Sequence, residues 1–257
     1  MAIGRALILA VVAFFSCNGE LLALNKLSQL SYYTESYPPY NYRESHQLKG
    51  IAVDLLAAAA RRVDGQFDLH RIQLVPWARG YKLTRTGKNT VLFSTTRTPY
   101  RESLFDWVGP ISATRVVIFA RADREISITD EAQLNRYTIG VIAQDIGEQA
   151  LLAAGVARKQ LRRAHEATSL VHMLRRERVD LWAYEEAVGR YLMKQEEVDT
   201  DEFEVIFTLR VSELYYAFSR DSDPELRRRL QLGIDKVKAS IEANGKTQYE
   251  NILAKYR

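Results

Sequence analysis

The sequence predicts an α/β fold built as two lobes. Three observations predict it. Strand-like and helix-like segments alternate from Lys26 onward, the pattern of mostly parallel sheets flanked by helices. The alternation runs through twice, with a second unit opening at the short helical segment ITDEAQLN (128–135). No low-complexity linker separates the units, so extended strands must join them. RVVIFAR (115–121) and ELYYAFS (213–219) are the natural crossovers.

The first unit reads as strand LSQLSYY (27–33), a loop rich in Tyr and Pro, and helix IAVDLLAAAARRV (51–63) with apolar residues at helical spacing. Strand FDLHRIQL (67–74), helix WARGYKLTRT ending at Gly87, and strand TVLFSTT (90–96) follow. In the second unit, Thr129 or Asp130 caps a short helix, and YTIGVIA (137–143) is a buried strand. DIGEQALLAAG is a helix stopped by Gly155, and Thr168–Arg178 is another. VDLWAY is a strand, EEAVGRYLMKQE a helix, and FEVIFTL and ELYYAFS are two further strands. A long helix begins at Asp223-Pro224, a cap followed by Pro in the first turn. TQYENILAKY closes the chain as a helix.

Before Lys26, Arg5 is the only charge ahead of Glu20, and ALILAVVAFFSC lies between them. A positive start, a short apolar run and a polar stretch predict a secretory signal peptide over residues 1–25, and so export to the periplasm. Cys17 also admits a lipid anchor. It is the only cysteine, which excludes an internal disulfide and any multi-cysteine metal or redox centre. The net charge of +4 is small, and the arginines are dispersed rather than gathered, which argues against a nucleic-acid partner.

Dinucleotide, P-loop, serine-hydrolase and zinc-protease motifs are absent from the sequence. His46, His70, His165 and His172 are scattered without metal-ligand spacing. No cofactor, metal or catalytic residue is expected. Ligands of open α/β sheets bind beyond the carboxyl ends of strands, which directs attention to four loops. Ser94, Thr95 and Thr96 end a strand, Thr98-Pro99 reads as a helix start, and Arg101 one turn later suits a carboxylate. Tyr37 and Tyr40 in TyrProProTyr are wall candidates. Trp77 and Arg79 open the second helix, and Glu185 and Glu186 follow a strand end. Each has a plainer reading as a cap, a core ring or a solvated charge.

In order, TyrProProTyr (37–40), GlyIleAlaValAspLeu (50–55), ThrProTyrArg (98–101) with PheAspTrpValGlyPro, TyrThrIleGlyValIle (137–142) and ArgValAspLeuTrpAlaTyrGluGluAla (178–187) resemble bacterial extracellular solute-binding proteins of family 3, the polar amino-acid receptors of ABC importers. The resemblance implies the type 2 periplasmic binding protein architecture, two Rossmann-like lobes joined by two crossover strands. It places residues 26–116 and 219–257 in one lobe and 117–218 in the other. The absence of a flexible linker between the units predicts hinge bending near Val116–Arg121 and Tyr215–Ser219. It implies that Arg101 clamps a ligand carboxylate, with Ser94, Thr96, Tyr37 and Tyr40 as neighbouring contacts and Glu185 meeting the ligand ammonium.

Two departures matter. The acidic position after the first strand is Thr34, with Glu35 beside it. The second lobe's Gly-Thr-Thr loop reads Gln144-Asp145-Ile146, so Asp145 replaces a hydroxyl that would hold the carboxylate. Asp145 and Glu185 together suit a cationic ligand. The expected function is a monomer that captures a small polar solute, an amino acid or related carboxylate or amine, for a membrane permease of an ABC importer. Two alternatives stay open: a periplasmic cyclohexadienyl-type dehydratase on the same fold, with Glu185 as its acid, and a ligand sensor docking on a membrane receptor.

Overall fold

The computed structural model describes residues 26–256. The expected signal peptide and Cys17 fall outside that range. In chain order the elements are β1 (Ser31–Thr34), the hairpin β2 (Tyr42–Glu44) and β3 (Gln47–Lys49), α1 (Ile51–Asp64), β4 (Ile72–Leu74), α2 (Trp77–Thr86), β5 (Thr90–Thr96) and β6 (Asp106–Arg121). Then come β7 (Ile139–Ile142), α3 (Ile146–Ala153), β8 (Leu161–Ala164), α4 (Ala167–Arg175), β9 (Leu181–Glu185), α5 (Glu186–Gln195), β10 (Phe203–Phe218), α6 (Pro224–Ala239) and α7 (Gln248–Ala254).

One eight-stranded sheet runs through the molecule in the order β4-β1-β5-β10-β6-β9-β7-β8. β4, β1 and β5 are parallel, as are β9, β7 and β8. These two parallel sheets are the centres of the two lobes. β10 and β6 run antiparallel between them, paired from Phe203↔Arg121 to Phe218↔Asp106. β10 meets β5 only over Leu214–Phe218, and β6 meets β9 only over Val116–Ala120. The chain therefore passes between lobes through a two-stranded ribbon. That ribbon also explains where the structure departs from the sequence reading. FEVIFTL and ELYYAFS form one strand, because β6 supplies ladder partners to the polar stretch between them. RVVIFAR is the second half of a longer strand.

Other departures have local causes. Only Ile72–Leu74 of FDLHRIQL is a strand, because Asp68 accepts the His70 N–H and turns Leu69–Arg71 into a 3-10 helix. ITDEAQLN likewise becomes a 3-10 helix over Glu131–Arg136, with Asp130 as its cap. β8 reads as polar because it is an edge strand, bonded only to β7, with Arg162 and Arg163 exposed, a composition that protects an open edge.

The first lobe is locked to its site by the start of α1. Gly50 precedes this helix and offers no side-chain cap. Instead the carbonyls of Pro39 and Tyr40 accept from the N–H groups of Ile51 (3.0 Å) and Ala52 (2.8 Å), satisfying two donors that a helix start leaves orphaned. Gly50 is required there. Its φ is 128°, and a Cβ would lie 2.3 Å from the Tyr40 carbonyl oxygen. The TyrProProTyr loop is thus pinned to α1, which buries Tyr37 and Tyr40 rather than leaving them on a surface turn.

α1 packs against α6 through small residues. At the crossing, a Cβ on Gly233 would lie 2.4 Å from the Ala59 carbonyl oxygen. Arg229 of α6 donates to Asp64 (2.6 Å), whose other oxygen accepts from the Leu27 N–H (2.6 Å). Because backbone cannot yield as a flexible side chain would, Gly233→Ala should force the helices apart at a cost of about 1–3 kcal/mol. A melting curve with an unchanged Tm would show that the crossing has slack.

Candidate functional site

The carboxyl ends of β1, β5, β7 and β9 converge between the lobes. β5 carries a bulge where Phe93 and Ser94 oppose one residue of β10. Ser94 sits there in the left-handed region with φ 57°, unusual for a non-glycine residue and common at functional sites. Its hydroxyl donates to Asn41 Oδ1, and Asn41 Nδ2 donates to the Glu35 carbonyl (2.7 Å). The loop after β1 is thereby tied to the β5 bulge at Ser94.

Arg101 does not sit in an α-helix. Thr98-Pro99-Tyr100-Arg101 is a turn, closed by Arg101 N–H to the Thr98 carbonyl (3.0 Å), and only a one-turn 3-10 helix follows. A helix dipole therefore contributes little here. The side chain is instead held by burial, with 0% of the residue exposed. Its Nη1 donates to the Thr96 carbonyl (3.3 Å) and its Nη2 to the Gln144 carbonyl of the second lobe (3.4 Å). The guanidinium lies 5.0 Å from the Trp77 ring centre and 5.5 Å from that of Tyr81, within cation–π range. Arg101 Nε is buried and meets no partner in hydrogen-bond geometry among the described residues, and the buried Tyr81 hydroxyl lies close enough to Arg101 to interact with it.

The second lobe reaches in through the loop after β7. Gln144 is also left-handed, φ 64°. Its N–H donates to Glu148 (2.7 Å), and its carbonyl accepts from Arg101, from Trp77 Nε1 (3.0 Å) and from Gln149 (3.1 Å). Asp145 follows as the N-cap position of α3 and is 5% exposed. The other side of the cleft closes through Tyr40, which donates to Glu185 Oε1 (3.2 Å). Tyr37 stacks on Tyr40 and meets Tyr184 edge-on at 5.9 Å. Tyr42 meets Tyr191 at 5.4 Å.

Acids outnumber bases here. Burial raises the Asp145 carboxyl, while Arg101 and the N–H groups of Ile146 and Gly147 pull it back. Burial pushes Glu35 well above the usual carboxylate range, Asp145 adds to the push, and Arg101 opposes it. Burial raises Glu185 as well. That carboxylate accepts from Tyr40, Thr114 (3.3 Å) and Arg115 N–H (3.4 Å) on one oxygen and from Val188 N–H (2.8 Å) on the other.

The structure thus gathers Arg101, Thr96, Ser94, Tyr37, Tyr40, Trp77, Asp145 and Glu185 at the lobe interface. Arg79 is exposed on α2, and Glu186 pairs with Arg115 and Arg190 on the outside. Glu35, Asn41, Tyr81 and the Gln144 carbonyl belong to the cluster without having been singled out as contacts. Glu35 carried a signal, an acid one place beyond the usual position. A backbone carbonyl carries none.

Two outcomes test this geometry. A carboxyl raised in the folded state binds protons that the unfolded chain releases, so stability falls as pH climbs from the ordinary carboxylate range through the raised value. Glu35→Gln should therefore melt higher than wild type near pH 7 and converge with it near about pH 4. Parallel curves would mean that Glu35 ionises without penalty. Trp77→Phe keeps a ring beside Arg101 but loses the donor to Gln144, so small-angle scattering should report a larger radius of gyration. An unchanged profile would show that closure does not depend on that bond.

No curated protein sequence matches the chain. Among solved structures, it is similar to the arginine-, lysine-, histidine-binding protein ArtJ from Geobacillus stearothermophilus (18% identity, TM-score 0.72, 88% of this chain and 94% of that one). It is also similar to an ABC uptake transporter substrate-binding protein from Streptococcus pneumoniae with bound histidine (16%, 0.75, 90% and 93%). A histidine kinase sensor domain with similarity to periplasmic binding proteins matches as well (20%, 0.75, 89% and 96%). These likenesses establish the type 2 periplasmic binding protein fold. The family profile of the bacterial extracellular solute-binding proteins, family 3, matches residues 31–256, and the chain belongs to that family.

Proposed function

We propose that the protein captures a small polar solute carrying an amine, an amino acid or a relative of one, between its lobes in the periplasm and delivers it to an ABC importer. The observation that carries this reading is Arg101. A wholly buried guanidinium with an unpartnered Nε offers a donor to an acceptor atom of a ligand. Unsatisfied buried donors are costly and rare. Glu35 and Asp145 supply the complementary charge for an amine. At the mouth of the cleft, a groove of about 370 Å³ lined by Glu35, His165, Glu166 and Tyr184 gives room for a polar extension.

Binding proteins for arginine, lysine and histidine with this fold support the solute class. Glu185 is held by four donors, which supports a structural cap over a proton-donating acid and weighs against the dehydratase alternative. A receptor-docked sensor would use the same cleft.

Calorimetry after a thermal-shift screen of amino acids and amines tests the reading. A ligand should raise the Tm by mass action. Arg101→Ala should weaken it at least tenfold, about 1.4 kcal/mol, and Arg101→Lys, which lacks the planar fork, should bind poorly too. Binding within threefold of wild type in Arg101→Ala would remove Arg101 from the site.

A further inference from the structure

The second lobe faces Arg101 with acceptors. The Gln144 carbonyl already takes Nη2 and Trp77 Nε1. Asp145, the next residue, is buried beside the first N–H groups of α3, the place where a helix start favours an anion. Its charge is felt by Arg101, and that of Arg101 by Asp145. Glu35, from the first lobe, adds a weaker pull on the same guanidinium. One buried cation thus has two carbonyls on its Nη atoms and the opposing charge of Asp145 nearby before any ligand is counted. A ligand carboxylate would add another negative charge next to Asp145, and like charges packed in a poorly solvated site repel strongly. A carboxamide would meet Arg101 without that penalty. Its C=O would accept from Arg101 Nε, and its NH2 would donate to the acceptors of the second lobe.

We infer that Asp145 is a built-in counter-ion of Arg101 that supplies from the second lobe the carboxylate a ligand would otherwise bring, and so selects amines with a neutral, amide-like acceptor over free amino acids. This inference rests on the amine-binding reading above and narrows it.

A double-mutant cycle and a matched ligand set test it. In thermal unfolding without ligand, Asp145→Asn should lower the Tm when Arg101 is present and raise it in an Arg101→Met background, where Asp145 is an uncompensated buried charge. Equal shifts in both backgrounds would overturn the counter-ion. In calorimetry, wild type should bind L-argininamide, L-lysinamide or L-histidinamide at least tenfold tighter than L-arginine, L-lysine or L-histidine. Asp145→Asn should erase or reverse that preference. Tighter binding of the free amino acid by wild type, left unchanged by Asp145→Asn, would overturn the selectivity. Thermal coupling with no binding of any of the six compounds would overturn the amine-binding reading and the selectivity with it, and leave the counter-ion standing.

Discussion

The buried guanidinium of Arg101 organises the interface between the lobes. A charge taken wholly out of water is tolerable only where carbonyls, aromatic faces and opposite charges replace its hydration. Each replacement comes from a different part of the chain: Thr96 from the end of β5, Trp77 and Tyr81 from α2, Glu35 from the loop after β1, and Gln144 and Asp145 from the second lobe. The Thr98 turn, closed by two bonds to the Arg101 N–H, sets the direction from which the side chain enters. These elements must therefore meet at one place, and the carboxyl ends of β1, β5 and β7 face it.

The second constraint is the pinning of the TyrProProTyr loop onto α1. Because its carbonyls serve as the helix cap, the loop cannot drift, and Tyr37 and Tyr40 form a fixed wall. That wall continues across the cleft through Tyr184 and Trp182, which stack 5.0 Å apart. The aromatic core is in consequence continuous from one lobe to the other, and Glu185, at the end of the same strand, caps α5 while accepting from Tyr40.

The two lobes present opposite hydrogen-bonding characters. The first offers donors: Arg101, Trp77, Tyr81 and Tyr40. The second answers with a carbonyl and carboxylates. This polarity depends on the left-handed backbone at Gln144, which turns its N–H toward Glu148 and its C=O into the cleft. Such conformations persist only where the surroundings hold them. Here Glu148, itself paired with Arg163 (2.5 Å), does so.

The sequence by itself determined the α/β class, the two-lobed plan, the helices with clear periodicity and caps, and the position of Arg101, Asp145 and the TyrProProTyr loop just beyond strand ends. Those features rest on local physics: apolar spacing, cap residues, and charges set at strand ends. Tertiary structure alone decided the rest. It merged two strand segments into β10, because a ladder partner outweighs a polar interruption. It made Arg101 a turn residue within a closed interface, left Arg79 outside, and committed Glu185 to four donors. It brought the Gln144 carbonyl to the guanidinium and Glu35 within range of its charge. Long-range pairing and backbone direction govern those outcomes, and neither leaves a periodic mark along the chain.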